Sequence, residues 1–200
     1  MVRTKAAMTG QGMTAAAADE WFRLVNAPAP AWPAEALLDA AFGLGRRTRA
    51  SYRLREGSTP VEDLSFHALD VASGRLAGLI SFWPLRIHPG GERALLLGPL
   101  AVHPDFQNGG LGDALMRTGL DAARKAGHGL IFLVGDEPFY GRYGFVHTPE
   151  RIILPGPYDP ARLLHLELRA GALGDARGLL LPEWRWQMLK EKPQPQRRAT

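Results

Sequence analysis

From residue 20 onward the chain alternates between short apolar runs of strand character and stretches of helical spacing. WFRLVN opens as a strand. PAEALLDAAFG follows with Ala36, Leu37, Ala40 and Ala41 at helical spacing and Gly43 placed to stop the helix. Residues 46–55 continue as a second helical piece that ends at the turn-forming EGSTP. LSFHALDV and LAGLISFWPLRI flank SGR as a hairpin around Ser73 and Gly74, and HPGGER makes the next turn. RALLLGPLAVHP is apolar on both faces and reads as a central strand. At Leu111 the period changes: Leu111, Ala114, Leu115, Ala122 and Ala126 share one helical face. Asp113 with Arg117, and Asp121 with Lys125, are spaced for ion pairs, and Gly127 fits the left-handed position past the helix end. GLIFLVG is the next buried strand and PFYGRYG a short helix or turn. FVHTP, RIILP, LLHLELRAGAL and GLLLPEWRWQM supply further strand-like segments. The pattern predicts an α/β fold with a mixed, largely antiparallel sheet. Residues 1–19 are expected to be a flexible extension, 20–189 a single domain and 190–200 a flexible tail.

Composition narrows the class. The 200 residues are 46% hydrophobic and 22% charged, ordinary for a chain that buries a core. No apolar run approaches the roughly 18–20 residues of a membrane span. With no cysteine there is no disulfide, thiolate metal site or cysteine nucleophile, which fits a cytoplasmic enzyme without a metal. The net charge of +4 is mild. The basic clusters Arg46, Arg47, Arg49 and Arg197, Arg198 are short, which argues against a nucleic-acid partner. Four of the five tryptophans (Trp21, Trp32, Trp184, Trp186) lie in the outer regions, where core filling is their expected task.

Two features carry chemistry. The first is QNGGLG, residues 107–112, a glycine-rich loop leading from a strand into a helix. The first N–H groups of that helix point outward unpaired, and the dipole adds about half a positive charge, so the site suits phosphate. Gly109, Gly110 and Gly112 leave no Cβ between those groups and a bulky diphosphate. The loop is neither a Walker loop nor a dinucleotide fingerprint. The second feature is Gly98 and Pro99 inside LLLGPLAV. Proline cannot donate to a ladder, so the strand must bulge or part there. Backbone groups near Leu100 and Val102 are then left for an extended, amide-bearing ligand. A glycine-rich turn and an edge bulge without function remain the plain alternatives for each feature taken singly. Together they suit one elongated ligand, diphosphate on the helix and amide arm along the strand, as in coenzyme A.

LGPLAVHPDFQNGGLGDALM resembles the central motif of the GNAT superfamily of acyl-CoA-dependent N-acetyltransferases. Gln107, Gly110 and Gly112 meet its signature, and FYGRYGF resembles the tyrosine-bearing motif of a predicted bacterial acetyltransferase subgroup. The likeness is specific over residues 97–145. One departure is Asn108 and Gly109, where the family often has glycine and then arginine, so the loop relies on N–H groups and the dipole. Arg117, Arg124 and Arg142 are alternative phosphate contacts. The resemblance implies a GNAT fold splayed at Gly98 and Pro99. It implies acetyl-CoA as co-substrate, held by Leu100, Ala101, Val102, Gln107, Asn108, Gly109, Gly110, Leu111, Gly112 and Asp113. The implied acceptor is an amine of a small molecule or peptide, and a homodimer is the family-level expectation. Tyr140 is the implied general acid, with Tyr143 as its rival. The base is unassigned among His67, His88, His103, His147, Glu62 and Glu137. His103 is expected to shape the loop, and Asp136 and Glu137 to contact an ammonium or remain solvated. Competing readings are a non-catalytic acyl-CoA-binding sensor and a basic nucleic-acid-associated protein.

Overall fold

The computed structural model describes residues 21–191; the expectations for residues 1–19 and for the tail beyond Glu191 lie outside that range. The described residues group into two compact units, each drawn from three stretches of chain. The first takes residues 21–47, Pro60–Phe82 and Gly98–Gly127; the second takes Thr48–Thr59, Trp83–Leu97 and 128–191. Strands β3 (Leu76–Pro89) and β4 (Glu92–Val102) run through both, joined by a tight turn in which Gly91 N–H donates to the Ile87 carbonyl at 2.6 Å. The other strands are β1 (Phe22–Val25), β2 (Phe66–Asp70), β5 (Leu130–Val134), β6 (Val146–His147), β7 (Ile152–Ile153), β8 (Leu163–Glu167) and β9 (Gly178–Pro182). The sheet is mixed and mostly antiparallel; β4–β5 and β7–β9 are its parallel pairs.

In the first unit β1, β2 and β3 pair in sequence and helices cover both faces. Alternation along β3 decides which face each residue serves. Leu79, with Ala101 of β4, faces helix α1 (Ala31–Phe42) and its buried Leu37 and Leu38. Gly78, Ile80 and Phe82 face helix α3 (Leu111–Lys125). The buried stripe of α3 is Leu111, Ala114, Leu115, Met116, Gly119, Leu120 and Ala123. Burying Leu111, Leu115, Met116 and Leu120 supplies roughly 1.5–3 kcal/mol each. That stripe corrects the sequence reading at its far end, where Ala122 is half-buried and Ala126 exposed. The sheet beneath the second half of the helix is met by Gly119 and Ala123 instead. Asp121 likewise pairs with Arg124 at 2.9 Å rather than with Lys125.

The second unit has a core of Leu85, Ile87, Leu96, Phe132, Leu163 and Leu180 among others, under helix α2 (Ala50–Arg53). Residues 46–55 are thus two short pieces, a 3-10 turn Leu44–Thr48 and α2. GLLLPEWRWQM is only half strand. Pro182 makes the last pair of β9, with Leu85, and helix α5 (Glu183–Glu191) starts at the next residue. Arg86 fixes that switch by donating to Glu183 at 3.0 Å and stacking on Trp186 at 4.9 Å. The tail expected from residue 190 therefore begins as the last two residues of this helix. Three of the four outer tryptophans do not fill the core, Trp21 being 52% exposed, Trp32 83% and Trp184 39%, while Trp83 of β3 packs against the core of the second unit. Phe82, Phe132 and Phe145 occupy the interior instead. Among the described residues no helix is long and apolar enough to cross a membrane.

Candidate functional site

The parting expected at Gly98 and Pro99 is present. The parallel ladder between β4 and β5 holds Leu95 to Ile131 and Leu96 to Phe132 and ends there. Gly98 then adopts φ 136°, a conformation open to little but glycine. At the far end of β4, His103 N–H donates to the Ala77 carbonyl at 2.8 Å. Alternation from that bond turns the backbone groups of Leu100 and Val102 away from β3, while the Ala101 side chain is buried under α1. The Val102 carbonyl is not left open, since Gln107 Nε2 donates to it at 3.2 Å. Gln107 thus closes the loop onto its own strand.

The loop itself is braced residue by residue. His103 Nδ1 accepts from Asp105 N–H at 3.2 Å and caps the 3-10 turn Pro104–Phe106. Arg75 reaches Asp105 at 3.1 Å, and the Phe106 ring meets Phe22 edge-on at 5.8 Å. His103 therefore shapes the loop, as its sequence position suggested. Asn108 at φ 65° and Gly110 at φ 78° then turn the chain through two left-handed positions into α3. No side chain caps that helix start. The N–H groups of Leu111 and Gly112 have no partner one turn earlier within the helix. Asp113 pairs with Arg117 at 2.8 Å, which moderates the one acid beside this positive end. At Gly112 the interior makes no demand for glycine: its φ is not left-handed, and an added Cβ would meet only Val102 Cγ2 at 3.7 Å.

In the second unit Tyr140 ends helix α4 (Glu137–Tyr140), and a 3-10 turn Gly141–Tyr143 and left-handed Gly144 follow. Its ring lies against Gly135 so closely that any Cβ there would run into it. The Phe139 ring stands edge-on to it at 4.9 Å and Phe145 at 6.1 Å. Burial, with the Asp136 carboxylate adding, pushes the phenol up to about 12. Tyr143 receives a hydrogen bond from Arg142 at 3.4 Å, and Arg142 also stacks over Phe139 at 4.6 Å. Asp136 is ion-paired with Arg162 at 3.1 Å.

Of the histidines, His67 is buried with Nδ1 bonded to the Ala27 carbonyl at 2.9 Å, a structural contact. His147 is exposed and His88 half-buried. The sequence reading missed His165, which is buried on β8 with Nδ1 unpartnered. The alternation in LLHLE, which puts His165 on the same face as Leu163, was its available signal. Among the described residues no cluster of His, Asp or Glu could hold a metal ion.

A splayed mixed sheet with a glycine-opened helix start after its central strand defines an acyltransferase architecture. The chain belongs to the acetyltransferase (GNAT) family, whose model matches residues 21–145. Over 63 residues it is 38% identical to YjhQ of Escherichia coli (strain K12), an uncharacterized N-acetyltransferase. That stretch is 32% of this chain and 35% of YjhQ, so the likeness spans about a third of that relative. The GNAT family N-acetyltransferase YhbS of Escherichia coli, solved with CoA, shares the fold at 24% identity and TM-score 0.67, covering 83% of this chain and 91% of that one. A GNAT family acetyltransferase of Brucella melitensis, solved with acetyl-CoA, is 25% identical with TM-score 0.56, covering 80% and 94%.

Proposed function

We propose that residues 20–189 act as one acetyltransferase domain that moves an acetyl group from acetyl-CoA to a primary amine in a ternary complex. The observation that carries this reading is the start of α3. It is uncapped, entered through left-handed Asn108 and Gly110, and followed by a Gly112 that nothing inside the protein requires. Glycine in a helix costs about 0.5–1 kcal/mol against alanine, so its retention at an open position fits close approach by a diphosphate. The outward backbone groups of Leu100 and the Val102 N–H would receive the amide arm of the cofactor, and the loop from residue 107 its diphosphate; Ala101, expected beside them, instead faces β3 and α1.

In the reaction the amine nitrogen forms a C–N bond to the thioester carbonyl carbon. The attacking nitrogen gives up one N–H proton to solvent, the tetrahedral intermediate re-forms its C=O as the C–S bond breaks, and sulfur leaves with the electron pair. Holding the amine and thioester in attack geometry supplies much of the rate. Tyr140, assigned by its place in the motif, assists the leaving sulfur. A phenol at about 12 stays protonated throughout the working range. Full proton transfer from so weak an acid to a departing thiolate is then uphill. Tyr140 therefore acts mainly as a hydrogen-bond donor to the departing sulfur, and solvent completes the protonation.

Calorimetry with coenzyme A and acetyl-CoA, followed by a thiol-release screen across small amines and peptides, tests this. Saturable binding and thiol release with at least one amine class are expected. Absence of binding would end the proposal; binding without turnover on any class would make the protein an acyl-CoA-binding sensor instead.

A further inference from the structure

His103 sits where β4 hands over to the loop, and its ring can hold that loop in one protonation state only. Nδ1 accepts from the Asp105 N–H at 3.2 Å and so caps the 3-10 turn Pro104–Phe106. An accepting nitrogen carries no proton, so the neutral ring that makes this cap has its proton on Nε2. The charged groups facing the ring are Asp105, with Oδ2 3.5 Å from Nδ1, and Arg75 of the β2–β3 turn, with Nη2 3.5 Å from Nε2. The Phe106 ring lies beside it at 5.9 Å. At the start of α3 the charges of Asp113 and Arg117 meet each other at 2.8 Å. Arg75 and the Asp105 amide are both donors, and a neutral imidazole has one lone pair for the two of them. The shorter contact takes it, and Arg75 donates instead to the Asp105 carboxylate at 3.1 Å.

A proton added to Nδ1 removes that acceptor. The Asp105 N–H then faces a ring N–H, the new donor turns to the Asp105 carboxylate, and Arg75 faces a second cation while sharing its own partner. The brace of the loop is undone at its first residue. The His103 side chain is 24% exposed, so solvent protons reach it, and histidine is the side chain that ordinarily changes charge between about pH 5 and 8. The remaining braces lie downstream of the cap. Phe106 seats on Phe22, and Gln107 ties back to Val102, from the turn that His103 holds. All of these residues belong to the first unit, as does the uncapped start of α3.

We propose that His103 is a proton-sensitive positioning residue: with its proton on Nε2 it holds residues 104–110 in the form that receives a diphosphate, and its protonated ring releases them. The assignment rests on the acetyltransferase reading, because that reading is what puts a diphosphate on the loop. Linkage fixes the sign. If the protonated state binds coenzyme A more weakly, coenzyme A in turn makes His103 harder to protonate. A ring that touched the phosphates as a cation would become easier to protonate.

The test uses the full chain labelled with nitrogen-15, with coenzyme A as the probe. In the free protein at high pH the neutral His103 ring should carry its proton on Nε2. Saturation with coenzyme A should move the His103 midpoint down by about 0.7 pH unit, a roughly fivefold preference for the neutral ring and the weight of one turn cap. Calorimetry should find the same fall of about fivefold in affinity across that midpoint, beyond what the cofactor's own phosphates contribute by titrating. His103→Asn separates the two, because its amide oxygen caps the turn at every pH. It should match the parent's affinity at high pH and lose the His103 step, whereas His103→Ala should already be about fivefold weaker there. A midpoint that stays or rises on binding overturns the inference. So does a neutral ring with its proton on Nδ1, or an asparagine variant whose pH profile follows the parent's. Failure of the parent to bind coenzyme A at any pH would instead sink the acetyltransferase reading. The ring tautomer, and the Asp105 amide resonance titrating in the parent but not in the asparagine variant, would still decide whether His103 holds the turn.

Discussion

Gly112→Ala puts the proposed cofactor site at risk in one substitution. The position is in the first turn of α3, its φ is already in the range open to alanine, and the new methyl meets only Val102 Cγ2 at an ordinary 3.7 Å. Removing glycine from a helix, and from the unfolded chain, therefore stabilises the protein by about 0.5–1 kcal/mol. For a chain of this length that is a rise of roughly 1–4 °C in melting temperature. If a diphosphate sits on the Leu111 and Gly112 N–H groups, the same methyl separates it from them. Weakening one hydrogen bond to a charged group costs about 1.5–3 kcal/mol, or roughly 10- to 150-fold in affinity. Stability should go up while affinity for coenzyme A goes down. Circular-dichroism melting and calorimetry on the same preparation read both signs. An alanine variant that binds coenzyme A within twofold of the parent would show that no diphosphate rests on this helix start. A variant that melts lower would show that the packing argument itself is wrong.

The same substitution about two turns on should act in the opposite sense. Gly119→Ala places a Cβ 2.7 Å from Cε2 of the fully buried Phe82, and overpacking of about 1–3 kcal/mol outweighs the helix gain, read as a lower melting temperature. Tyr140→Phe should cut turnover about ten- to a hundredfold with acetyl-CoA affinity unchanged. With the phenol at about 12, no alkaline limb from Tyr140 should appear below about pH 11, and a limb near 10 that vanishes in the variant would contradict the burial argument. Gly135→Ala should push the Tyr140 ring aside and lower turnover, again leaving cofactor affinity alone, by steady-state kinetics and calorimetry. Arg46, 1% exposed and bonded to Glu35 and Asp39, holds the Glu35 carboxyl below its ordinary 4.5, chiefly by its side-chain hydrogen bond. A depressed carboxylate stabilises the fold above its unfolded value and loses that contribution as pH falls through its folded one. Arg46→Met should therefore cost about 1–3 kcal/mol at pH 7, and the gap to the parent in urea melts should narrow between pH 5 and 3.

What the sequence makes legible follows from how local the cause is. The loop at 107–112 and the break at Gly98 and Pro99 are backbone demands written in glycine and proline, and they appear where expected. Helix α3 is legible in its first two turns, where Leu111, Ala114 and Leu115 set the face. It drifts thereafter because Gly119 meets Phe82, a contact made with a strand some 35 residues earlier that no period can reveal. EWRWQM, expected to continue the strand-like segment GLLLP, is helix instead, fixed by Arg86, nearly a hundred residues away. The outer tryptophans were assigned to the core on size alone, yet the phenylalanines fill it and leave the indoles at the surface. His165 was hidden because an isolated histidine in an apolar strand has no local mark distinguishing a satisfied ring from an unpartnered one.

The bracing of the loop bears on how a glycine-rich segment without the family's usual arginine would hold the proposed diphosphate. A flexible loop of this composition would lose roughly 1–2 kcal/mol of backbone entropy per residue ordered on binding. Here the ordering is largely done beforehand. His103 caps the turn, Arg75 holds Asp105, Phe106 packs on Phe22, and Gln107 ties the loop to the Val102 carbonyl. Only Asn108 to Gly110 lie between that last tie and the first residue of α3. The N–H groups at the helix start are thus directed by the fold and not by the ligand, and a preorganised donor array binds more tightly per contact than a mobile one. An arginine would add charge but also a long side chain to be immobilised. Substituting rigidity for that charge has a consequence that separates the two designs: N–H donors set by the backbone bind diphosphate with a shallower salt dependence than an exposed guanidinium would give, because fewer screened point charges take part.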